Sequence, residues 1–432
     1  MVKDIAHVII LGSGLSGMLT ALSMAKVGIK TTIIESKSIT AANFYSDIRS
    51  TAITPYSQNF LNNLEIWSEL ENLAAEMQDV YVVDNKAPEI LHLRNKLRCH
   101  SREGGNLEKA SSHPEFISGY TNNKMLKQVQ HDELDSRFRG NDINELAAPL
   151  GYVVKNSEFK KALVTKIKES SFINLIDECE YKKVESNPDH CVITLDNNKK
   201  ITCNLLIVCD GYHSKVRSYY FSEEVEASYQ TALTFNIKHE VKHDNCAMEH
   251  FLPLGPFALL PLRDQNSSSV IWSTELTQAS LLQNLSAEEF TYLVQRNCGK
   301  SLGKITIDSE ISAFPLKARL ANRYFHNRIV LIADSAHIIH PLAGQGLNQG
   351  IKDIEALTKL INITGIKEET LRQYQKLRQD DNFIMYKITD ELNNIFSNYS
   401  KNLRCLRQIG FKAINNFRPI KNLITSYAMG ER

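Results

Sequence analysis

His7-Val-Ile-Ile-Leu-Gly12-Ser-Gly14-Leu-Ser-Gly17, with the residues that follow as far as Glu35, is the stretch that decides the fold. The run HVIIL is short, apolar and rich in β-branched residues, long enough for one buried strand. In MLTALSMAKV, Met18, Leu19, Leu22 and Ala25 fall on one helical face, and Gly28 supplies a helix stop. Residues 31–34 (TTII) make a second strand that ends at Glu35. Strand, glycine loop, helix, strand and acid form the order of a dinucleotide-binding unit. Gly12 permits the tight turn, Gly14 lets the backbone approach a pyrophosphate, and Gly17 lets the helix pack closely on the strand. The helix N-terminus offers unpaired N–H groups and a partial positive charge to phosphates. Glu35 can accept hydrogen bonds from ribose hydroxyls. The loop alone does not separate FAD from NAD, and G-x-G-x-x-G by itself also reads as a plain structural turn.

The bulk composition narrows the setting. The chain has 432 residues, enough for two or three domains. Fifty basic residues face 49 acids, a net charge of +1, so there is no global electrostatic reason to expect nucleic acid as a partner. No apolar run is long enough to span a bilayer, and no secretory signal is expected. Eight cysteines lie scattered without a C-x-x-C pair, which suits a reducing, cytoplasmic compartment. No metal site is expected: His337 and His340 have no acid or cysteine at ligand spacing to complete one.

Two later segments separate the nucleotides. Leu205-Leu-Ile-Val-Cys-Asp210-Gly211-Tyr-His-Ser214-Lys-Val-Arg217 is a strand followed by D-G-x-x-S-x-V-R. Residues 328–353, RIVLIADSAHIIHPLAGQGLNQGIKD, read as strand, loop and helix, the helix continuing through Ile351, Ile354, Leu357 and Leu360. These blocks, in this order, resemble the class A flavoprotein monooxygenases. The complete H-P-x-A-G-Q-G-x-N-x-G-x-x-D run from His340 to Asp353 is similar to the ubiquinone-biosynthesis hydroxylase branch. So are Asp47-Ile-Arg49-Ser-Thr-Ala-Ile53 with Leu64-Glu-Ile-Trp67, and Gly255-Pro-Phe-Ala-Leu-Leu-Pro261-Leu262. One departure stands out: the family usually has Gly before the acid of the third block, where this chain has Ala333.

The resemblance implies an α/β fold: a discontinuous Rossmann-like FAD-binding domain (1–78, 144–220, 325–365), an inserted antiparallel-sheet substrate domain (79–93, 221–324) and a C-terminal helical region (366–432). FAD would be held by Gly12, Gly14, Gly17, Glu35, Arg49, Asp210, Asp334, Gly344, Gln345, Gly346 and Asn348. Backbone N–H groups of the Gly344–Gly346 turn would stabilise the negative charge of a reduced flavin. His340 and Pro341 would lie by the reacting carbon. Asp210 and Arg217 would link the cofactor to the scaffold; an ion pair between them is the plainer reading. Phe251, Phe257, Leu260 and Pro261 are candidates for the substrate pocket, with sheet core as the alternative. Trp67 and Trp272 read as core.

The implied activity is ring hydroxylation of a polyprenylated phenol by dioxygen, through a C4a-hydroperoxide of the flavin, with NADPH or NADH as reductant. Its rivals are another flavin oxidoreductase, such as a soluble-aromatic hydroxylase or a polyprenyl reductase, and a non-catalytic flavin-bound scaffold of a biosynthetic complex. A halogenase is disfavoured because W-x-W-x-I-P is missing. A ubiquinone-biosynthesis complex is the candidate protein partner. Two stretches remain. Residues 94–143 are polar, lack periodicity and resemble the peptides encoded by palindromic repeats within some bacterial genes; a mobile surface insertion without catalytic role is expected. Beyond Leu371 the pattern is helical, with Met385, Ile388, Leu392, Ile395 and Phe396 on one face. The basic, amphipathic segment 401–432 fits either the anionic inner face of the cell membrane or a packing contact.

Overall fold

The computed structural model describes residues 7–85, 90–95, 148–221, 224–340, 342–398 and 400–430. Pro341 and nearly all of 94–143 lie outside the described residues. The chain divides into two compact units. The first comprises Met1–Ala74, Val154–Tyr229 and Leu316–Asn393; the second comprises Ala75–Val153, Gln230–Pro315 and Asn394–Arg432.

The first unit is built on a six-stranded sheet in the order Phe325–His326, Ile329–Leu331, Leu205–Val208, Val8–Leu11, Thr31–Ile34, Ile173–Ile176. Every neighbouring pair is parallel except the edge pair Phe325–His326 with Ile329–Leu331. The four central strands are buried at every position, and their near-continuous apolar sequence follows from cover on both faces. Helix Leu15–Lys26 packs on this sheet and against helices Asn156–Glu169 and Gln345–Thr364. That double packing buries Ala21 and Met24 as well as Met18 and Leu19, a wider apolar surface than one stripe. Gly28 (φ +78°) ends the helix, its N–H bonding to the Ala25 carbonyl.

The second unit is a sheet in the order Glu224–His239 (from Gln230 onward), Ser267–Glu275, Gly255–Pro261, Cys246–Leu252, Asp79–Asp84, Ile90–Arg94. It is mixed: Cys246–Leu252 runs parallel to Asp79–Asp84, a strand contributed from far earlier in the chain, and the other pairs are antiparallel. One face buries Leu233, Phe235, Ile237, Met248, Phe257, Leu259, Val270 and Trp272 against helices Leu276–Gln283 and Ala287–Cys298. The second helix starts on a Ser286–Glu289 capping box. Helix Lys401–Asn416 is anchored by a buried ion pair: Arg407 Nε and Nη2 donate to Asp84 at 2.9 and 3.0 Å. Phe396 lies under that guanidinium and stacks on Phe251 at 4.0 Å between centroids.

Helix Glu368–Phe396 corrects one sequence expectation. Met385 and Phe396 are buried, but Ile388, Leu392 and Ile395 are exposed. The buried line instead runs through Leu371, Tyr374, Arg378, Asn382, Met385, Tyr386 and Thr389. Apolar periodicity missed it because Arg378 and Asn382 are polar and are buried to satisfy another polar group, Asp353.

Candidate functional site

In an open parallel sheet, ligands bind beyond the carboxyl ends of the strands, where the connections part to either side. In the first unit Val8–Leu11, Leu205–Val208 and Ile329–Leu331 deliver Gly12, Asp210 and Asp334 to that edge, and Thr31–Ile34 delivers Glu35. The three motifs meet there. A Cβ on Gly12 (φ +93°) would lie 2.7 Å from the Cys209 carbonyl oxygen, and one on Gly17 would lie 2.0 Å from the Gly12 oxygen. A Cβ on Gly350 would lie 2.7 Å from that of Ala333 and 3.5 Å from Ser16 Oγ.

The loops are cross-stitched. The Gly211 N–H donates to Ser335 Oγ (3.0 Å), and Ser335 Oγ donates to Asp210 Oδ1 (3.2 Å). Tyr181 donates to the other Asp210 oxygen at 3.1 Å. Arg217, fully buried, donates to the carbonyls of Gly211, Tyr212, Asp334 and Ser335, so it ties the second motif to the third through the backbone. Burial raises the Asp210 carboxyl above its ordinary range, against hydrogen bonds from Ser214, Tyr181 and Ser335. Asp334 reaches solvent yet is ringed by protein, which raises its carboxyl too; His337, Arg49 and Arg217 pull the other way. Arg49 itself is clamped by Asp47, its Nε and Nη2 each donating at 2.8 Å.

Glu35 serves the loop before any ligand. Its Oε2 accepts from the Ser13 N–H (2.7 Å) and hydroxyl (2.8 Å), and its Oε1 accepts from the Lys37 N–H (2.9 Å). Asn348 is fully engaged within the protein: it donates to the Ala52 and Gly344 carbonyls at 2.9 Å and accepts from the Thr54 N–H at 3.1 Å. Its side chain fixes the turn. His340 is buried, and burial lowers its pKa to about 4, so the imidazole is neutral at physiological pH. Gln345 is buried as well.

Sequence reasoning undervalued Asp353. Its carboxylate, fully buried, accepts from His337 Nε2 (2.5 Å), Arg378 Nε (2.8 Å), Asn382 Nδ2 (3.1 Å) and the Ala333 N–H (3.1 Å). Burial would raise this carboxyl, but His337 and Arg378 outweigh it and hold it at about 2. Ala333 is thereby pinned at φ +53°, a left-handed conformation that an L-residue adopts at a cost. The acid stood in the quoted motif; Arg378 and Asn382 carry no local signal and are brought to it only by the fold.

The residues present fit FAD. Helices Leu15–Lys26 and Gln345–Thr364 both begin at a glycine, Gly14 and Gly344, which brings no capping side chain to the helix start. Among the described residues, nothing lies within 4 Å of a Cβ built on Gly14 or Gly346, so the backbone there admits close approach.

In the second unit the pocket candidates split. Strand pairing puts Phe251 and Leu260 on one face, while Phe257 and Pro261 are on the other, where Phe257 packs edge-on against Trp272 at 5.6 Å. The four cannot form one wall, because neighbours along a strand alternate faces. Phe257 belongs to the sheet core, as does Trp272; Trp67 is buried in the first unit. Among the described residues, no group of three or more His, Cys, Asp or Glu could hold a metal ion.

The chain matches the family described as FAD binding domain over residues 5–381. It is 28% identical to the ubiquinone hydroxylase UbiL of Rhodospirillum rubrum, over 99% of this chain and 90% of that one. It is 27% identical to the 3-demethoxyubiquinol 3-hydroxylase of Escherichia coli over the full length of both. Among solved structures, p-nitrophenol 4-monooxygenase PnpA of Pseudomonas putida shares the fold with a TM-score of 0.72 at 14% identity, covering 98% of each chain.

Proposed function

The chain belongs to the FAD binding domain family and, within it, to the ubiquinone-biosynthesis hydroxylases; from that premise we propose that it hydroxylates the ring of a polyprenylated phenol with dioxygen, using NADPH or NADH as reductant. Bound FAD supplies hydride acceptance and oxygen activation. The protein's residues bind, orient and exclude water. The N–H groups at the start of Leu15–Lys26 meet the pyrophosphate and Glu35 meets the ribose. Asp210 and Asp334 take up the cofactor's hydroxyls, and Arg49 supplies a charged donor beside it. The Gly344–Gly346 backbone would lie against the ring of bound FAD, where backbone N–H donors would stabilise negative charge. Neutral His340 sits next in sequence to Pro341 at the reacting side, as a hydrogen-bonding group rather than a cation. The observation that carries this reading is the convergence of three distant glycine- and aspartate-bearing loops at one sheet edge. FAD-loaded protein is expected to consume NAD(P)H and oxygen when given a prenylated phenol, with a product heavier by one oxygen atom. Consumption unaffected by the phenol would point to a reductase or oxidase, and none at all to a scaffold.

Peripheral membrane contact is part of the proposal. No described helix is long and apolar enough to cross a membrane. Helices Lys401–Asn416 and Arg418–Ala428 nevertheless leave Leu406, Ile409, Phe417, Ile420 and Leu423 exposed beside Lys412, Arg418 and Lys421. Because Arg407 and Phe411 are buried, point changes test this better than truncation. Replacing Leu406, Ile409 and Leu423 by Gln is expected to abolish flotation with anionic liposomes; unchanged flotation removes the membrane from the proposal.

A further inference from the structure

On the sheet of the second unit, the face opposite the core carries Val80, Val82, Ala247, Pro256, Ala258, Leu260 and Ile271, with Phe251 stacked beneath Phe396 at its end, and the carboxyls of Glu249 and Asp84. Pairing places Glu249 directly between Val82 and Ala258. Neither neighbour can hydrogen-bond to it, and among the described residues it has no hydrogen-bond or ionic partner. Asp84 on the same face is fully buried, but Arg407 neutralises it in two-point contact. A half-buried carboxyl on an apolar surface costs folding energy unless something satisfies it. Burial accordingly pushes Glu249 up to about 7. That upward shift also brings it nearer a phenol, whose proton is held near pKa 10, and a closer match strengthens an O–H···O bond.

We infer that Glu249 accepts a hydrogen bond from the ring hydroxyl of the aromatic substrate, so that the apolar face receives the ring and prenyl group while one carboxyl fixes the ring's orientation. This deepens the proposed function and rests on it. The phenol keeps its proton and no bond is broken; the carboxylate draws electron density toward the ring, which favours electrophilic attack, and discriminates hydroxylated rings from alkylated ones. The selectivity is that of a site built to bond a hydroxyl, which rejects an analogue that cannot donate.

The test uses FAD-loaded full-length enzyme, wild type, Glu249→Leu and Glu249→Gln, with a short-chain prenylated phenol and its O-methyl ether. Dissociation constants are read from the flavin absorbance change under anaerobic conditions, beside the FAD content and melting temperature of each protein. Wild type is expected to prefer the phenol at least tenfold. Glu249→Leu is expected to lose that preference while binding the ether as well as wild type does. Glu249→Gln, whose amide oxygen accepts a weaker bond, should fall between, and it carries the test should the Leu variant fold poorly. A phenol-to-ether ratio unchanged in the variants overturns the role of Glu249 and leaves the proposed function standing. Failure of wild type to bind either compound overturns both.

Discussion

Ala333 and Gly350 offer a sharp test, because they meet where the third flavin motif turns into its helix. Ala333 holds φ +53° and its N–H is fixed by Asp353, so it cannot swing aside. A methyl added at Gly350 would lie 2.7 Å from the Ala333 methyl, against about 3.5–4.0 Å for contact between carbon atoms. Such overpacking costs about 1–3 kcal/mol, partly offset by up to about 1 kcal/mol for Ala over Gly inside a helix. Gly350→Ala alone should therefore destabilise by about 1–2 kcal/mol. Ala333→Gly relieves about 1–2 kcal/mol of left-handed strain, and loses a similar amount in chain entropy and a buried methyl, so it should be nearly neutral. In the double variant the clash is gone and the helix gain stays. It should match or exceed wild type, a coupling of about 2 kcal/mol. Melting of the four FAD-loaded proteins, followed by release of flavin fluorescence, should show this as a non-additivity of roughly 4–8 °C. Shifts that add within about a degree would refute the packing argument.

Three further outcomes follow from the same structure. Gly17→Ala puts a methyl 2.0 Å from the Gly12 oxygen, so the purified protein should be colourless and FAD titration should show at least a hundredfold loss of affinity; wild-type uptake would contradict the loop reading. His340 has a depressed folded pKa of about 4 against about 6.5 unfolded. The stability it contributes by staying neutral is present above pH 6.5 and falls by roughly 3 kcal/mol as pH drops to 4. His340→Gln should flatten that part of the denaturation profile, and a profile as steep as wild type would reject the assignment. Arg407→Met leaves Asp84 buried without its partner and should cost about 3–5 kcal/mol. Adding Asp84→Leu should recover most of it, and a double variant as unstable as the single would show that the pair is not the cause.

Much of the flavin site could be read from the chain itself. Every residue proposed from the sequence to hold the cofactor lies in the first unit. Local chemistry explains why: a turn that needs a positive φ, or a helix that must touch a strand, leaves a glycine at a fixed spacing from an apolar run. Gly12, Gly17 and Gly344 are such positions, and their surroundings tolerate no side chain. Residues whose task is defined by a distant partner left no such mark. Arg378 reads as a charge on an ordinary helix until the fold brings it to Asp353, 25 residues away. Phe257 and Leu260 look equivalent in sequence, yet the alternation of the strand sends one into the core and the other to the opposite face. Glu249 was invisible for the same reason: a carboxyl between a methionine and a histidine means little until strand pairing surrounds it with Val82 and Ala258. The sequence by itself determined the FAD-binding family and the glycine-bearing loops of the first unit, because backbone geometry is written locally. Which side chain faces which was decided only when strands far apart in the chain paired.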